Sequence, residues 1–164
     1  MRDAGEELQG PHRRRQVGLD VAQDNAKAQL YLGMMHRGGE GGPVDSVEAR
    51  RLLGLAAAQG HTVAQYRIGH MHHVGSGGPV DFAEARRLYG LAAAQGDAEA
   101  QGALGEMHRD GDGGPVDFTE ARRLCGLAAA QGSAKAQYML GLMHHDGEGG
   151  PVDFAEARRL YGLA

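Results

Sequence analysis

Histidine is the residue type with the widest chemical scope in this 164-residue chain, which contains nine of them. Neutral imidazole is a common zinc ligand, and His70 and His73 are spaced to share one face of a helix. Four other histidines recur at 36-residue intervals, namely His36, His72, His108 and His144. Since packed helices lie about 10 Å apart, two imidazoles of this series would reach one ion only with difficulty. We predict that these histidines pack structurally, and a histidine-based metal site is the alternative.

Other catalytic and ligand-binding motifs are incomplete. The run 110–112 (Asp-Gly-Asp) begins like a calcium loop, but Ala121 stands where that loop needs a glutamate. The Gly-rich run 39–43 lacks the Gly-Lys-Ser/Thr of a phosphate-binding loop and is predicted to be a turn. The single cysteine, Cys125, has no base in register with it and is predicted to fill a helix face. We therefore predict neither an enzyme nor a bound cofactor.

Composition narrows the classes of partner. The net charge of −4 gives no broad basic field, so neither nucleic acid nor a membrane surface is expected as a partner. The basic run 12–15 (His-Arg-Arg-Arg) is predicted to be the solvated face of a helix. No stretch approaches the roughly 20 apolar residues of a membrane span, and one cysteine cannot form an intrachain disulfide. A cytoplasmic location is the default, because no signal peptide is recognised.

The sequence repeats with a period of 36 residues, and the repeating elements must position these side chains. It is marked without slippage by four prolines, Pro43, Pro79, Pro115 and Pro151. We predict four repeats, at 24–59, 60–95, 96–131 and 132–164, of which the last is cut short. A degenerate half-repeat spans 11–23, and residues 1–10 are predicted to be disordered. Residues 11–164 should then form a single repeat domain of nine helices.

Each repeat predicts a helix-turn-helix, whose two helices we call helix A and helix B. In the first repeat, helix A begins at the N-cap Asn25 and runs to the glycines after His36. Helix B opens at Asp45 with Glu48 three residues on, as in a capping box, and ends at Gly60. The packed side of helix B is predicted from its apolar stripe, Ala49, Leu52, Leu53, Ala56 and Ala57. No segment alternates with period two, so the fold is predicted to be all-α.

The second repeat carries a recognisable pattern. It reads Ala64-Gln65-Tyr66-x-Ile68-Gly69-x-Met71-His72-x-x-Gly75-x-Gly77-x-x-x-Asp81-x-x-x-Ala85-x-x-x-Tyr89-x-x-Ala92-Ala93-x-x-Gly96. This pattern closely resembles the Sel-one-like repeat, a relative of the tetratricopeptide repeat, and the resemblance covers 11–164. It implies a right-handed α/α superhelical solenoid that serves as an adaptor or scaffold in protein complexes.

Two columns depart from the family pattern. Histidine replaces the usual tyrosine at position 36 and its equivalents, and glycine replaces the usual valine at position 42 and its equivalents. We expect a looser helix-A core from these changes. The imidazole is expected to fill the tyrosine slot and to form a hydrogen bond through one nitrogen.

Positions that vary among repeats are the best candidates for partner recognition. In helix A these varying positions occupy one half of the helical wheel. Leu30 of the first repeat is one of them. The predicted partner-binding residues are Met34, Arg37, Tyr66, His70, His73, Glu106, Arg109, Tyr138, Leu142 and His145. We predict that they line a concave groove that receives a peptide or a partner helix. The alternative is that these positions vary because nothing constrains them in solvent.

Self-association is the second functional hypothesis. Helix B carries a series of leucines opposite its apolar stripe, namely Leu55, Leu91, Leu127 and Leu163. We predict that they are buried in the array, with an exposed interaction surface as the alternative. The chain stops inside the last helix B, without a polar capping repeat. We expect either that the array continues beyond this point or that its open C-terminal end pairs with another copy, giving a structural array without a dedicated ligand.

Overall fold

The computed structural model describes residues 25–164, which form eight α-helices and, within that range, no strand. The helices are α1 Ala26–Gly38, α2 Ser46–Ala58, α3 Thr62–Val74, α4 Phe82–Ala94, α5 Ala98–Asp110, α6 Phe118–Ala130, α7 Ala134–Asp146 and α8 Phe154–Tyr161. Odd-numbered helices are helices A and even-numbered ones are helices B, so the prediction of an all-α repeat solenoid is confirmed. The predicted disordered segment 1–10, the half-repeat 11–23 with its helix, and the basic run 12–15 lie outside the described residues.

Side-chain caps fix the start of helix A in three of the four repeats. Asn25, Asp97 and Ser133 each accept a hydrogen bond from the backbone N–H three residues later, at 3.1, 2.8 and 3.4 Å. His61 precedes α3 without such a bond. Every helix A is followed by a glycine in the left-handed conformation, such as Gly75 with φ of 72°. The predicted starts and stops of helix A are thereby confirmed.

Helix B begins with half of the predicted capping box. The carboxylate of Asp45 accepts a hydrogen bond from the N–H of Glu48 at 2.9 Å, and the other B helices repeat it. The second bond of a capping box, from the N–H of Asp45 to the carboxylate of Glu48, does not form here. The N–H of Asp45 donates instead to the carbonyl of His36 at 2.8 Å. The Glu48 carboxylate pairs instead with Arg51, one turn further along the helix, at 2.7 Å.

The predicted packing side of helix B is the observed one. All five residues of the apolar stripe of α2 are buried, and four of them have no measurable exposure. Met71, Met107 and Met143 of the A helices are completely buried, and the looser helix-A core stays a prediction. Two helices approach closely at Gly105, whose Cα faces Cys125 and the carbonyl of Ala121. Small residues at this contact therefore set the distance between helix A and helix B.

Residues 25–164 divide into two compact units. The first ends at Val80 and contains α1 to α3, in which each helix packs on the next. The second runs from Asp81 to Ala164 and contains α4 to α8, again with successive helices in contact. No helix in the described part of the chain combines the length and apolarity needed to cross a bilayer.

Candidate functional site

The A helices bury the half that is uniform among repeats and expose most of the half that varies. In α5, the buried residues Ala100, Gln101, Leu104 and Met107 belong to the uniform half. The predicted partner-binding residues are all at least partly exposed, namely Met34, Arg37, Tyr66, His70, His73, Glu106, Arg109, Tyr138, Leu142 and His145. We call these ten residues the varying face; five lie in each unit. Leu30, which the wheel placed on the same half, is instead buried in the core.

Charged members of the varying face in the second unit are already paired. Glu106 of α5 accepts from Lys135 of α7 at 2.7 Å, so the pair links two successive A helices. Arg109 donates to Glu148, in the turn after α7, at 2.7 Å. The hydrogen bond to Glu148 raises the pKa of Arg109 and keeps its guanidinium charged. The two ion pairs hold these four side chains in place beside α5 and α7. All four side chains remain partly exposed to solvent.

Aromatic members of the same face are less constrained. Tyr138 is 51% exposed, and its ring lies 5.9 Å from that of Tyr161 on α8. His145 meets the ring of Phe154 edge-on at 5.3 Å. A tyrosine with one side against a ring and the other in water is typical of side chains that anchor a partner. The exposed chemistry of α7 is therefore aromatic and apolar, bordered by charge.

Gly102 interrupts the face on α5. The equivalent positions in the other repeats carry leucine or tyrosine, whereas Gly102 has no side chain. A carbon added there would meet only Ala128 and Ala136, both at an ordinary 3.9 Å. The helix thus has a notch, lined by small residues, on the same half as Glu106 and Arg109.

The first unit displays a different mixture. Tyr66 is half-buried, with the guanidinium of its neighbour Arg67 5.8 Å from the centre of its ring. His70 is exposed and His73 half-buried on the same helix, α3. Among residues 25–164, no three histidine, cysteine, aspartate or glutamate side chains are grouped so that they could hold a metal ion.

One set of side chains was missed by sequence reasoning. Arg86, near the start of α4, reaches into the following repeat, where its guanidinium lies 2.7 Å from Nδ1 of His108. It also donates to the backbone carbonyl of Pro115 at 3.2 Å. The same contact recurs in the pairs Arg50–His72 and Arg122–His144, at 2.7 and 2.5 Å. We call Arg50, Arg86 and Arg122 the inter-repeat arginines, because each ties a helix B to the next helix A and its turn.

The two departures from the family pattern meet at this contact. His108 supplies the acceptor, and Gly114 supplies the space, because a carbon added to Gly114 would collide with the guanidinium of Arg86. Gly113, at φ of 69°, lies so close to the carbonyl of Phe82 that any side chain would collide with it. Histidine and glycine therefore replace tyrosine and valine together, as parts of one arginine-binding turn.

The imidazoles of this contact act as neutral acceptors. Burial, followed by the charge of Arg86, lowers the pKa of His108 below the ordinary value of 6.5. Burial and then Arg122 lower the pKa of His144 in the same way. A neutral ring leaves the Nδ1 lone pair to the guanidinium and carries its proton on Nε2. The predicted hydrogen bond through one nitrogen is confirmed for His72, His108 and His144, where the short contact uses Nδ1, whereas Nδ1 of His36 has no partner among residues 25–164.

Cys125 is a core side chain, as predicted. It is 1% exposed in α6 and lies against Gly105 of α5. Burial is the main reason that the pKa of its thiol is raised to about 11. The sulfur therefore remains protonated at neutral pH, which makes it a poor nucleophile.

The prediction that the helix-B leucines are buried was wrong. Leu55, Leu91, Leu127 and Leu163 are 41, 41, 43 and 55% exposed. In the second unit, Leu127 borders an open groove of about 450 Å³ over α5, between α4 and α6. The helix-B leucines lie opposite the apolar stripe, as the sequence predicts. Neighbouring B helices such as α4 and α6 do not pack closely enough to cover them.

The repeats match a known family. The model of the Sel1 repeat matches four successive segments, residues 26–61, 62–97, 98–133 and 134–164. Their starts follow the predicted ones by two residues and keep the predicted period. Among curated protein sequences, none matches the chain.

Solved structures with the same fold include two Sel1-type proteins. A protective antigen present in uropathogenic Escherichia coli strains, which displays an SLR fold, is 35% identical with a TM-score of 0.88 over 92% of this chain. A Sel1 repeat protein from Oxalobacter formigenes is 29% identical with a TM-score of 0.87, also over 92% of this chain. The chain spans only 32% of the first protein and 62% of the second.

A more distant structure supports the fold alone. A protein from Klebsiella pneumoniae subsp. pneumoniae is 23% identical, with a TM-score of 0.65 over 92% of this chain and 72% of that one.

Sel1 repeat proteins are generally scaffolds for protein–protein interaction and typically have no enzymatic activity. Because the family model matches every segment from residue 26 onward, the chain belongs to the Sel1 repeat family.

Proposed function

We propose that the chain is an interaction scaffold or adaptor that binds a peptide or a helix of a partner protein on the varying face of its A helices. The observation that carries the proposal is the exposure of large aromatic side chains on an otherwise uniform frame. Tyr138 is 51% exposed although Leu140 and Met143 of the same helix are buried. Exposed aromatic residues beside charged ones are the composition of a binding surface.

The second unit presents the chemistry that a partner would meet. Gly102 leaves a notch on α5, and Tyr138 stands exposed on α7. An apolar side chain of the partner would fill the notch and pack on the tyrosine ring. The Glu106–Lys135 and Arg109–Glu148 pairs would frame it with both signs of charge. This arrangement favours a segment with one large apolar residue flanked by mixed charges.

Affinity capture with three baits tests this proposal. The baits are the whole chain, the variant Tyr66→Ala/Tyr138→Ala and the matched control Leu91→Ala/Leu127→Ala, which removes two exposed leucines from helix B. Two lost aromatic anchors should weaken capture by at least about tenfold, whereas the control should retain it. Circular dichroism verifies that helicity is unchanged. Equal capture by all three baits would contradict the proposal.

A further variant adds bulk in place of removing it. Gly102→Leu should fold, because a carbon at that position meets only two alanine methyls at van der Waals distance. It should nevertheless lose the partner, because the notch is filled. The self-associating array predicts a different pattern: the leucine control alone would lose its captured protein, and that protein would be the chain itself. Exposure of Leu91 and Leu127 is the observation that favours this second candidate.

A further inference from the structure

The A helices of the first unit carry no acidic residue. Both α1 and α3 lack aspartate and glutamate, whereas they contain the cations Lys27, Arg37 and Arg67 at varying positions. In the second unit, α5 contains three acidic residues and α7 contains one. The two units therefore differ in the charge of their A helices, although their frame is the same.

The carboxylate that neutralises an arginine in the second unit is missing from the first. Arg109 pairs with Glu148 at 2.7 Å. Two repeats earlier, the same two positions hold Arg37 and Ser76. Serine offers no carboxylate, and no ion pair joins Arg37 to another of residues 25–164. Arg37 is therefore a half-buried cation of the varying face that is available to a carboxylate from outside.

Arg67 of α3 is a second cation of this kind. It is half-buried, and its Nε atom is covered without a hydrogen-bond partner among residues 25–164. Its guanidinium lies 5.8 Å from the centre of the ring of Tyr66, which favours a cation but accepts no strong hydrogen bond. Because part of the guanidinium is shielded from water, it attracts a carboxylate more strongly than a fully exposed arginine does. Its fork of donors also matches the two oxygens of a carboxylate.

Apolar side chains accompany these cations. Tyr31 is 43% exposed on α1, and Val63 is 39% exposed on α3. Met34 and Val63 stand at the positions where the second unit has the ion pair Glu106–Lys135. Such a mixture suits a peptide better than nucleic acid, which needs a broad basic field that a chain of net charge −4 does not provide.

We propose that the A helices of the first unit bind an acidic segment of the partner protein, whose carboxylates pair with Arg37 and Arg67 while an apolar side chain packs against Tyr31 and Met34. The inference rests on the function proposed above and names the chemistry of the partner at one of the two units. Lys27 and Arg37 are ten residues apart in α1. That distance is about 15 Å along the helix, which about five extended residues of the segment would span.

Fluorescence anisotropy with the full chain tests the proposal. The probes are two short labelled peptides with a central leucine, flanked by glutamates in one and by glutamines in the other. The native chain should bind the glutamate peptide at least about tenfold more tightly, and added salt should weaken that binding. Arg37→Gln/Arg67→Gln should remove most of the difference between the peptides.

The matched control is Arg51→Gln/Arg87→Gln. It changes the net charge by the same amount, but it removes two exposed arginines that pair with glutamates on their own B helices. The control should keep the preference for the glutamate peptide. Circular dichroism verifies that both double variants keep their helicity.

Two further variants keep the test independent of stability. Arg67→Lys retains the charge without the fork and should bind the glutamate peptide with intermediate affinity. Arg37→Glu/Arg67→Glu should instead prefer a peptide in which lysines flank the leucine. A reversed preference cannot arise from a general loss of structure.

Three results would overturn the proposal. They are equal affinity of the native chain for the glutamate and glutamine peptides, equal effects of the two arginine pairs, and tighter binding of a single-stranded oligonucleotide than of the glutamate peptide. If one of them occurred while Tyr66→Ala/Tyr138→Ala still lost its captured protein, the proposed function would stand and only the acidic segment would be wrong.

Discussion

Neighbouring residues of the same type have different roles in this molecule. Arg122 donates into the following repeat, whereas Arg123 pairs with Glu120 on its own helix at 2.6 Å. An exposed pair of the second kind contributes little to stability, because water and salt screen it. The first kind satisfies a half-buried imidazole and the carbonyls of a turn, so its loss leaves several polar groups without a partner. The residue-scale stability of the array therefore depends on the arginine–histidine contacts.

Those contacts make stability depend on pH. His108 and His144 have a pKa below 6.5 in the folded chain, because they are partly buried and face Arg86 and Arg122. As the pH falls, the two imidazoles therefore become protonated in the unfolded chain before they do in the folded one. Their contribution to the free energy of unfolding is fully present above pH 6.5 and is lost as the pH drops through the folded pKa values. Thermal unfolding midpoints should decrease between pH 7.5 and 5.5.

The variant His108→Phe/His144→Phe provides the control. It should be less stable at pH 7.5, and its midpoint should change less across the same interval. The charged neighbours of His108 include Asp117, Glu120 and Arg123, and the pKa of Glu120 is lowered by its bond to Arg123. That carboxylate titrates below the interval. Equal slopes for the native and doubly substituted chains would contradict this assignment.

At the scale of the helix, glycine has two opposite roles. Gly126 lies inside α6, where an added carbon would meet nothing within 4 Å. Gly105 lies inside α5, where the same carbon would stand 2.7 Å from Sγ of Cys125 and 3.3 Å from the carbonyl of Ala121. One glycine is a weak helix residue in open space, and the other permits close packing.

Alanine at these two positions should therefore shift stability in opposite directions. Gly126→Ala should stabilise the chain by about 0.5–1 kcal/mol, through helix propensity. Gly105→Ala should destabilise it by about 1–3 kcal/mol, because α5 and α6 must separate or Cys125 must move. Urea unfolding measures both changes. Shifts of the same sign would show that the contact at Gly105 does not set the helix spacing.

Helix boundaries were predictable because their signals are local. Asn25, Asp97 and Ser133 cap helix A through their own side chains, and the left-handed glycines end it. The leucines of helix B were not predictable, because their burial depends on how closely successive B helices approach. Leu127 borders an open groove, which no periodic pattern in one helix can reveal. The contacts of the inter-repeat arginines were not predictable either, because Arg123 and its equivalents are equally uniform and form only exposed pairs on their own helices.

At the scale of the whole molecule, the chain combines a uniform frame with a face that changes from repeat to repeat. The Sel1 repeats account for the frame, and the two compact units each carry five residues of the varying face. Sequence reasoning could identify that face, because its positions vary at helical spacing. It could not foresee that Glu106 and Arg109 are paired with residues of the next repeat, which leaves the exposed aromatic residues as the less constrained part of that face.

Site-specific photo-crosslinking tests the central claim most directly. A benzophenone amino acid replaces either Tyr138, 51% exposed on the varying face, or Phe118, 40% exposed at the start of α6. Both positions already carry an exposed ring, so the two chains should fold alike. We predict that irradiation in cells cross-links a partner protein from position 138 and not from position 118. Equal cross-linking from both positions, or cross-linking from position 118 alone, would contradict the claim that the varying face is the binding surface.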